Sequence, residues 1–290
     1  MWSTVETLSI PHPVLRVAMI IRHDVDPALY LVDPAHFPAV VAVDRFREEV
    51  PIAYDNIDRL LRPSLIPEIQ MVSQTCDRTD GMGTLIHASW ILTAAHVAIE
   101  ISLENKIEFT GKAHSIEQIV VHPDFRNWSE AVVLAKHDIA LIQLTRPVEA
   151  IAPIWLYQQE NELTQTATFL GSGDFGNGAI GPDSVDTRLR KATNRVEAVD
   201  PEWLVFKFDA PPQGTALEGI SGPGDSGGPA LIQVGKEWAI AGISSGQDSG
   251  ILGEGHYGVL EYYTRVSQYA NWIESVIGKE NIGTKKGQTA

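Results

Sequence analysis

The chain has 290 residues, enough for one large or two modest domains with hydrophobic cores. Its 44% hydrophobic and 20% charged residues are typical of a globular protein. Because 37 acidic residues outnumber 22 basic ones, the formal net charge of −15 argues against non-specific nucleic-acid binding and would instead attract basic peptides. The single cysteine, Cys76, excludes an intramolecular disulfide, and no apolar run of about 18 residues is present to cross a membrane.

The N-terminal residues 1–29 have weak periodicity, and we expect them to be a leader or pro-segment. They make a poor signal peptide, because Glu6 stands among the first residues, prolines break the apolar stretch and no small-residue cleavage site follows. Retention in the cell, export by another route and an absent leader therefore remain open.

The middle of the chain has the pattern of a β protein. The stretch FPAVVAV (37–43) predicts a buried strand, and 44–78, broken by three prolines, suggests short helical turns. From about residue 80, short apolar runs alternate with turn signals, which predicts an all-β barrel or sandwich. We expect a helix over 266–278 and a flexible tail over 279–290.

The predicted helix rests on the stretch VSQYANWIESVI. Its apolar residues recur at helical spacing, which predicts an amphipathic helix with one face against the core. These residues are Val266, Tyr269, Trp272, Ile273, Val276 and Ile277.

The segment GPGDSGGPA (222–230) surrounds Ser226 with glycines and prolines. Taken alone it fits either a surface turn or a rigid cradle in which backbone N–H groups converge beside a nucleophilic serine. Two further segments matter here: ILTAAHVAI places His96 after an apolar run, and KHDIALIQL places Asp138 at the head of a strand. Each residue alone would be ordinary, but together they supply a nucleophile, a base and a group that orients the base.

The three segments TAAH, DIAL and GDSGGP, in this order, resemble the active-site signatures of the chymotrypsin-like (trypsin-like) serine protease family. The pieces VVHPDF, YYTRV and YANWIESVI agree with the same family in order, and the resemblance covers about residues 30–278. It implies an all-β fold of two six-stranded antiparallel β-barrels, over 30–157 and 165–265, with a C-terminal α-helix. Relative to typical family members, residues 44–78 would be an insertion near the rim of the first barrel. The resemblance also implies a serine endopeptidase acting on protein or peptide. It also implies a secreted or periplasmic location, although the chain has neither a clear signal peptide nor disulfides.

The resemblance also assigns roles. His96 would be the general base, Asp138 would orient it, and Ser226 would attack the substrate carbonyl to give an acyl-enzyme. The N–H groups of Gly224 and Ser226 would form the oxyanion hole. No cofactor or metal is expected, and neither nucleic acid nor a membrane is an expected partner; the oligomeric state is left open.

Asp225 implies activation by cleavage, because in the family this position forms a salt bridge with a newly released N-terminal ammonium. No IVGG motif follows a clear cleavage site in this chain. Cleavage after Arg16 would free Val17, and Ile20 and Ile21 are the other candidate new termini.

The specificity pocket departs from the family pattern. Ile220 stands where members that cut after Arg or Lys carry Asp, and Glu261 falls on the facing wall, where it would either favour basic side chains or block the pocket. A slipped alignment would put Gly258 on that wall and leave an apolar pocket. Ser244 to Gly246 match the strand that binds the substrate backbone, with Ser245 in place of an aromatic residue. Val97 and Gly222 replace the family's usual cysteines, which shifts stabilisation onto core packing.

Three other classes of protein fit the sequence less well. A protease-like binding or regulatory module without turnover usually lacks one of the three residues, and this chain has all of them. An α/β-hydrolase requires the order Ser, acid, His and strands that alternate with helices, whereas the order here is His, Asp, Ser. A zinc metalloprotease of the H-E-x-x-H type is excluded because none of the nine histidines lies in that motif.

Overall fold

The computed structural model describes residues 19–44, 80–127 and 134–278. Most of the predicted leader, nearly all of the predicted insertion and the predicted tail lie outside these ranges. The strands, in chain order, are β1 Ile20–Ile21, β2 Val40–Ala42, β3 Met82–His87, β4 Trp90–Thr93, β5 Lys106–Phe109, β6 Lys112–Val121, β7 Ala140–Leu144, β8 Trp155–Leu156, β9 Thr166–Gly171, β10 Asp174–Asn177, β11 Gly181–Val185, β12 Arg190–Val199, β13 Trp203–Lys207, β14 Gly219–Ile220, β15 Pro229–Val234, β16 Glu237–Asp248 and β17 Leu260–Arg265. The α-helices are α1 Ala95–Ala98 and α2 Ala270–Ile277.

The first barrel-like sheet has the strand order β2-β3-β4-β7-β6-β5. All of its pairings are antiparallel. Strand β5 shows why the sequence folds this way, since Ile107 and Phe109 point inward and are buried while Lys106 and Glu108 are exposed. Strand β7, between β4 and β6, is buried along nearly its whole length, and it begins just after the turn that carries Asp138.

The second barrel closes on itself. Strands β9, β12, β13, β17, β16 and β15 pair in that order, and β15 pairs back with β9. Three aromatic rings fill its interior: Phe169 stacks on Tyr263 with ring centroids 4.7 Å apart, and Phe206 meets Phe169 edge-on at 4.8 Å. The two sheets and the helix that follows them confirm the predicted all-β architecture.

Residues 19–21, inside the predicted leader, belong to the folded body. Ile20 pairs in parallel with Gly176 and antiparallel with Ile220, so β1 lies between β10 and β14 in a small four-stranded sheet. Met19, Ile20 and Ile21 are almost completely buried. The segment therefore contributes apolar packing beneath the second barrel.

The C-terminal helix also follows its sequence pattern. A 3-10 turn over Val266–Tyr269 leads into α2, which ends at Gly278 with a backbone φ of 88°. Its buried face includes Ile273 and Ile277. Within the described ranges, no helix has the length and apolar character needed to cross a membrane.

Candidate active site

His96 lies on the short helix α1, directly after strand β4. The preceding residues Ala94 and Ala95 are buried, and their small side chains let the helix sit close to the barrel wall. The next residue, Val97, is buried against Gly81, where an added Cβ would lie 2.6 Å from the valine side chain. Apolar packing thus occupies the position at which the sequence resemblance would place a cysteine.

Asp138 is fully buried just before β7 and accepts two hydrogen bonds from His96. Its Oδ2 accepts from Nδ1 of His96 at 2.7 Å, and its Oδ1 accepts from the backbone N–H of His96 at 2.9 Å. The second barrel contributes two hydroxyls: Ser245 donates to Oδ2 at 2.6 Å, and Thr264 donates to the backbone carbonyl of Asp138 at 2.8 Å. The carboxylate is therefore anchored from both barrels.

These contacts decide the charge of Asp138. Burial alone would raise the pKa of its carboxyl, but the neighbouring His96 and the hydrogen bonds from His96 and Ser245 outweigh it, so the pKa lies below its usual value. Asp138 is consequently a carboxylate at neutral pH, and it favours the His96 tautomer that carries its proton on Nδ1.

Ser226 is partly exposed at the cleft between the barrels and sits on a loop that is held from two sides. The N–H of Met82, at the start of β3, donates to the carbonyl of Ser226 at 2.7 Å. Gly227 donates its N–H to the carbonyl of Ser244 at 2.9 Å. Gly227 has a φ of 82°, and an added Cβ would lie 2.3 Å from the carbonyl oxygen of Met82, so the close approach requires glycine.

Two N–H groups of this loop face no acceptor. Asp225, Gly227 and Gly228 each donate to a carbonyl of the chain. By contrast, among the described residues no acceptor lies within hydrogen-bond distance of the N–H groups of Gly224 and Ser226. Gly224 has a φ of 98°, a conformation that a side chain would strain. The loop therefore offers two unused donors at the cleft.

Asp225 lies buried beneath the loop. Its Oδ1 accepts from the N–H of Gly173 at 3.1 Å and its Oδ2 from the N–H of Gly222 at 3.3 Å. It packs so closely on Gly171 that a Cβ there would lie 1.9 Å from Oδ1. No cationic group forms a salt bridge with Asp225 among the described residues. Burial raises the pKa of this carboxyl to about 7.

The cleft has a volume of about 480 Å³ and takes walls from both barrels. His96 and Ser226 both line it, as do Gly224 and the predicted pocket residues Ser244 and Gly246. The structure thus brings His96, Asp138 and Ser226 to one place, with Asp138 behind His96. Within the described part of the chain, no group of three or more His, Cys, Asp or Glu side chains is arranged to hold a metal ion.

The other two predicted pocket residues lie behind the wall. Ile220 is fully buried in an apolar cluster with Ile20, Phe208 and Val259. Glu261 is also fully buried; its carboxylate accepts from the N–H of Ser221 at 2.8 Å and from the Ser221 hydroxyl. Burial raises the pKa of Glu261 well above its usual value, although the bonds from Ser221 act in the opposite direction.

Sequence reasoning missed the part played by Ser245. The ladder between β16 and β17 is irregular between Ser244 and Gly246, so Ser245 is an extra residue in a bulge. A bulge redirects side chains. Ser244 bonds to the hydroxyl of Ser221 at 2.8 Å, while Ser245 reaches Asp138. Two adjacent serines in the sequence give no sign of which one turns toward the carboxylate.

The chain was compared with known proteins. Residues 69–273 match the family described as Trypsin. The chain is 29% identical over 229 residues to vitamin K-dependent protein C of Mus musculus, covering 70% of this chain and 47% of that protein. It is 28% identical over 233 residues to tryptase of Mus musculus, covering 68% of this chain and 78% of that protein. It therefore spans about half the length of the protein C relative.

The fold has a solved counterpart. The structure of neuropsin, a serine protease expressed in the limbic system of mouse brain, superposes with a TM-score of 0.60 and 17% sequence identity, covering 85% of this chain and 97% of that one. Because the Trypsin match extends over well more than half of the sequence, the chain belongs to the trypsin family.

Proposed function

We propose that this protein hydrolyses peptide bonds through an acyl-enzyme formed on Ser226, with His96 and Asp138 completing the catalytic triad. The observation that carries the proposal is the pairing of Nδ1 of His96 with the buried Asp138 carboxylate at 2.7 Å, beside a cleft that Ser226 also lines. This pairing leaves Nε2 of His96 as the ring nitrogen that takes the proton from Ser226 as its oxygen attacks the substrate carbonyl.

The proposed reaction has two steps. His96 takes the Ser226 proton and gives it to the leaving amine as the acyl-enzyme forms; it then removes a proton from water and returns one to Ser226 as the acyl group leaves. In each step the imidazolium is stabilised by Asp138. The negative charge on the tetrahedral oxygen is bound by the N–H groups of Gly224 and Ser226, which have no other acceptor among the described residues.

We further propose that cleavage near the N-terminus improves this site. Asp225 is a buried carboxyl with two N–H donors and no cationic partner among the described residues, so a nearby ammonium would stabilise its charged form. Strand β1 runs beside Gly219–Ile220, a few residues before the Asp225 loop, and thus brings the start of the described chain to this region. Ile20 and Ile21 are held inside a sheet, whereas Arg16 and Val17 lie outside the described residues.

Hydrolysis of a peptide library by the purified protein tests the proposed function. Wild type is compared with Ser226→Ala and with Ser275→Ala, a control at an exposed serine of α2. Cleavage by wild type and by the control, abolished in Ser226→Ala, supports the mechanism. If the folded wild type cleaves nothing before or after N-terminal processing, the protein is a protease-like binding module instead.

N-terminal sequencing of the active material tests the activation step separately. A new terminus between residues 16 and 21, together with higher activity than that of the intact chain, supports the proposed role of Asp225. Full activity in a chain that still begins at Met1 contradicts it and leaves the triad proposal in place.

A further inference from the structure

Gln247 lines the specificity pocket, which we define as the part of the cleft lined by Ser221, Ser244, Gly246 and Gln247. Its Nε2 donates to the carbonyl oxygen of Ser221 at 2.6 Å. Its Oε1 accepts from the backbone N–H of Gly255 at 3.1 Å. Both ends of the amide thus form hydrogen bonds to the main chain, one at Ser221 and one at Gly255. These two bonds fix the side chain in place.

The strand register places Gln247 in front of Glu261. The two residues are directly opposite each other in the antiparallel pair β16–β17, so their side chains project from the same face of the sheet. Gln247 is partly exposed and lines the cleft, whereas Glu261 is fully buried and does not. A substrate side chain that enters the cleft therefore meets the Gln247 amide before it reaches the carboxyl group.

We propose that Gln247 closes the specificity pocket and restricts cleavage to bonds that follow residues with short, uncharged side chains. The inference rests on the proposed peptidase function. A lysine or arginine side chain would have to displace the amide and leave the Ser221 carbonyl and the Gly255 N–H without their partner. Short side chains such as those of alanine, serine and valine end before the amide and leave both hydrogen bonds of Gln247 intact.

Removal of the Gln247 amide should deepen the pocket and let it accept longer side chains. Glu261 would then face the cleft across the Ser221 hydroxyl. Opening the pocket would relieve the burial that raises the pKa of Glu261, so its carboxylate form would become available to pair with a basic side chain. Gln247→Gly should therefore convert a pocket for short residues into one that accepts long ones, and Glu261 should decide whether the gain extends to lysine and arginine.

The experiment compares wild type, Gln247→Gly and Gln247→Gly/Glu261→Gln on peptides that differ only in the residue before the cleaved bond. Gln233→Gly is the matched control, since it makes the same change at an exposed position of the neighbouring strand β15. We expect wild type to prefer alanine over lysine by about tenfold or more in kcat/KM, and Gln247→Gly to remove that preference. Relative to wild type, the double variant should keep the increase in kcat/KM for the methionine peptide and lose the increase for the lysine peptide.

Binding of benzamidine to Ser226→Ala gives a readout that needs no turnover. Benzamidine is a flat cation that fits an open acidic pocket, so it should bind Ser226→Ala/Gln247→Gly at least about tenfold more tightly than Ser226→Ala. A wild type that prefers lysine, or equal benzamidine affinity with and without Gln247, overturns the proposal. If wild type and the pocket variants all lack peptidase activity, but benzamidine still binds Ser226→Ala/Gln247→Gly more tightly than Ser226→Ala, the proposed function is refuted and the closed pocket is supported.

Discussion

The hydroxyl of Ser245 donates to Oδ2 of Asp138 at 2.6 Å, so a residue of the second barrel fixes a buried carboxylate of the first. Ser245→Ala removes this bond and leaves the carboxylate with its bonds from His96. We expect the free energy of unfolding to fall by about 1.5–3 kcal/mol, the range for a hydrogen bond to a charged group. Chemical denaturation measures this change, and Ser275→Ala, at an exposed serine, should leave stability unchanged. Equal stability of the two variants would contradict the assigned bond.

Asp225 leaves no room for a side chain at position 171, so we expect activity to depend on glycine there. In Gly171→Ala the new Cβ would lie 1.9 Å from Oδ1 of Asp225, so the carboxyl group must move and carry the loop of Gly224 and Ser226 with it. Misplacing an oxyanion-hole donor costs about 10²- to 10³-fold in turnover, and we expect a loss in kcat of that size. The control Gly235→Ala has nothing within 4 Å of its added Cβ and should keep its activity. Unchanged kcat in Gly171→Ala would mean that Asp225 does not support the loop.

Stability of the uncleaved protein should fall with rising pH because of Asp225. The unfolded carboxyl loses its proton near 3.8, while the folded one keeps it until about pH 7, since burial raises its pKa. Between these values the folded state binds more protons, so a rise in pH favours unfolding. The free energy of unfolding of Asp225→Asn, relative to that of wild type, should increase across this window by about 1.4 kcal/mol per pH unit. The total increase should be on the order of 4 kcal/mol.

Urea unfolding at pH 4, 5.5 and 7 measures this difference. Asp183→Asn, which alters an exposed carboxylate, should follow the wild-type profile. An Asp225→Asn difference that stays constant with pH would show that Asp225 does not titrate in this window.

The ion pair between Arg265 and Glu162 anchors the start of the C-terminal segment. Nε and Nη2 of Arg265 donate to the two carboxylate oxygens at 3.0 and 2.9 Å, and Glu162 is fully buried. Arg265→Met leaves that charge unpaired and should destabilise the protein by about 3–5 kcal/mol. Adding Glu162→Gln should recover much of the loss. The control Lys207→Met, at a partly exposed pair with Asp209, should change stability by about 1 kcal/mol or less. Similar losses in the two single variants would contradict the buried-pair account.

The sequence predicts the fold class and the position of the candidate triad because both depend on local patterns. Short apolar runs between turns predict the strands, and helical spacing predicts the helix that ends at Ile277. His96, Asp138 and Ser226 are recognised by the residues around them. Their positions then follow from the neighbouring elements, since His96 lies on the short helix after β4, Asp138 just before β7 and Ser226 just before β15.

Long-range contacts could not be predicted from the sequence. Strand β1 has two residues, too few for a periodic signal, and its partners Gly176 and Ile220 lie far along the chain. The turn of Ser245 toward Asp138 depends on a bulge, and the closure of the pocket by Gln247 depends on the register of two strands. Register and bulges are properties of paired strands rather than of one stretch of sequence.

In the proposed mechanism, Ser226 is a nucleophile activated by His96. The most direct measurement is labelling with a fluorophosphonate probe, followed by mass spectrometry of the peptide that carries the adduct, in wild type, Ser226→Ala and His96→Ala. We predict one adduct on Ser226 in wild type and none in either variant. Labelling at another residue, or labelling of Ser226 that persists at full rate in His96→Ala, would contradict this account of the site.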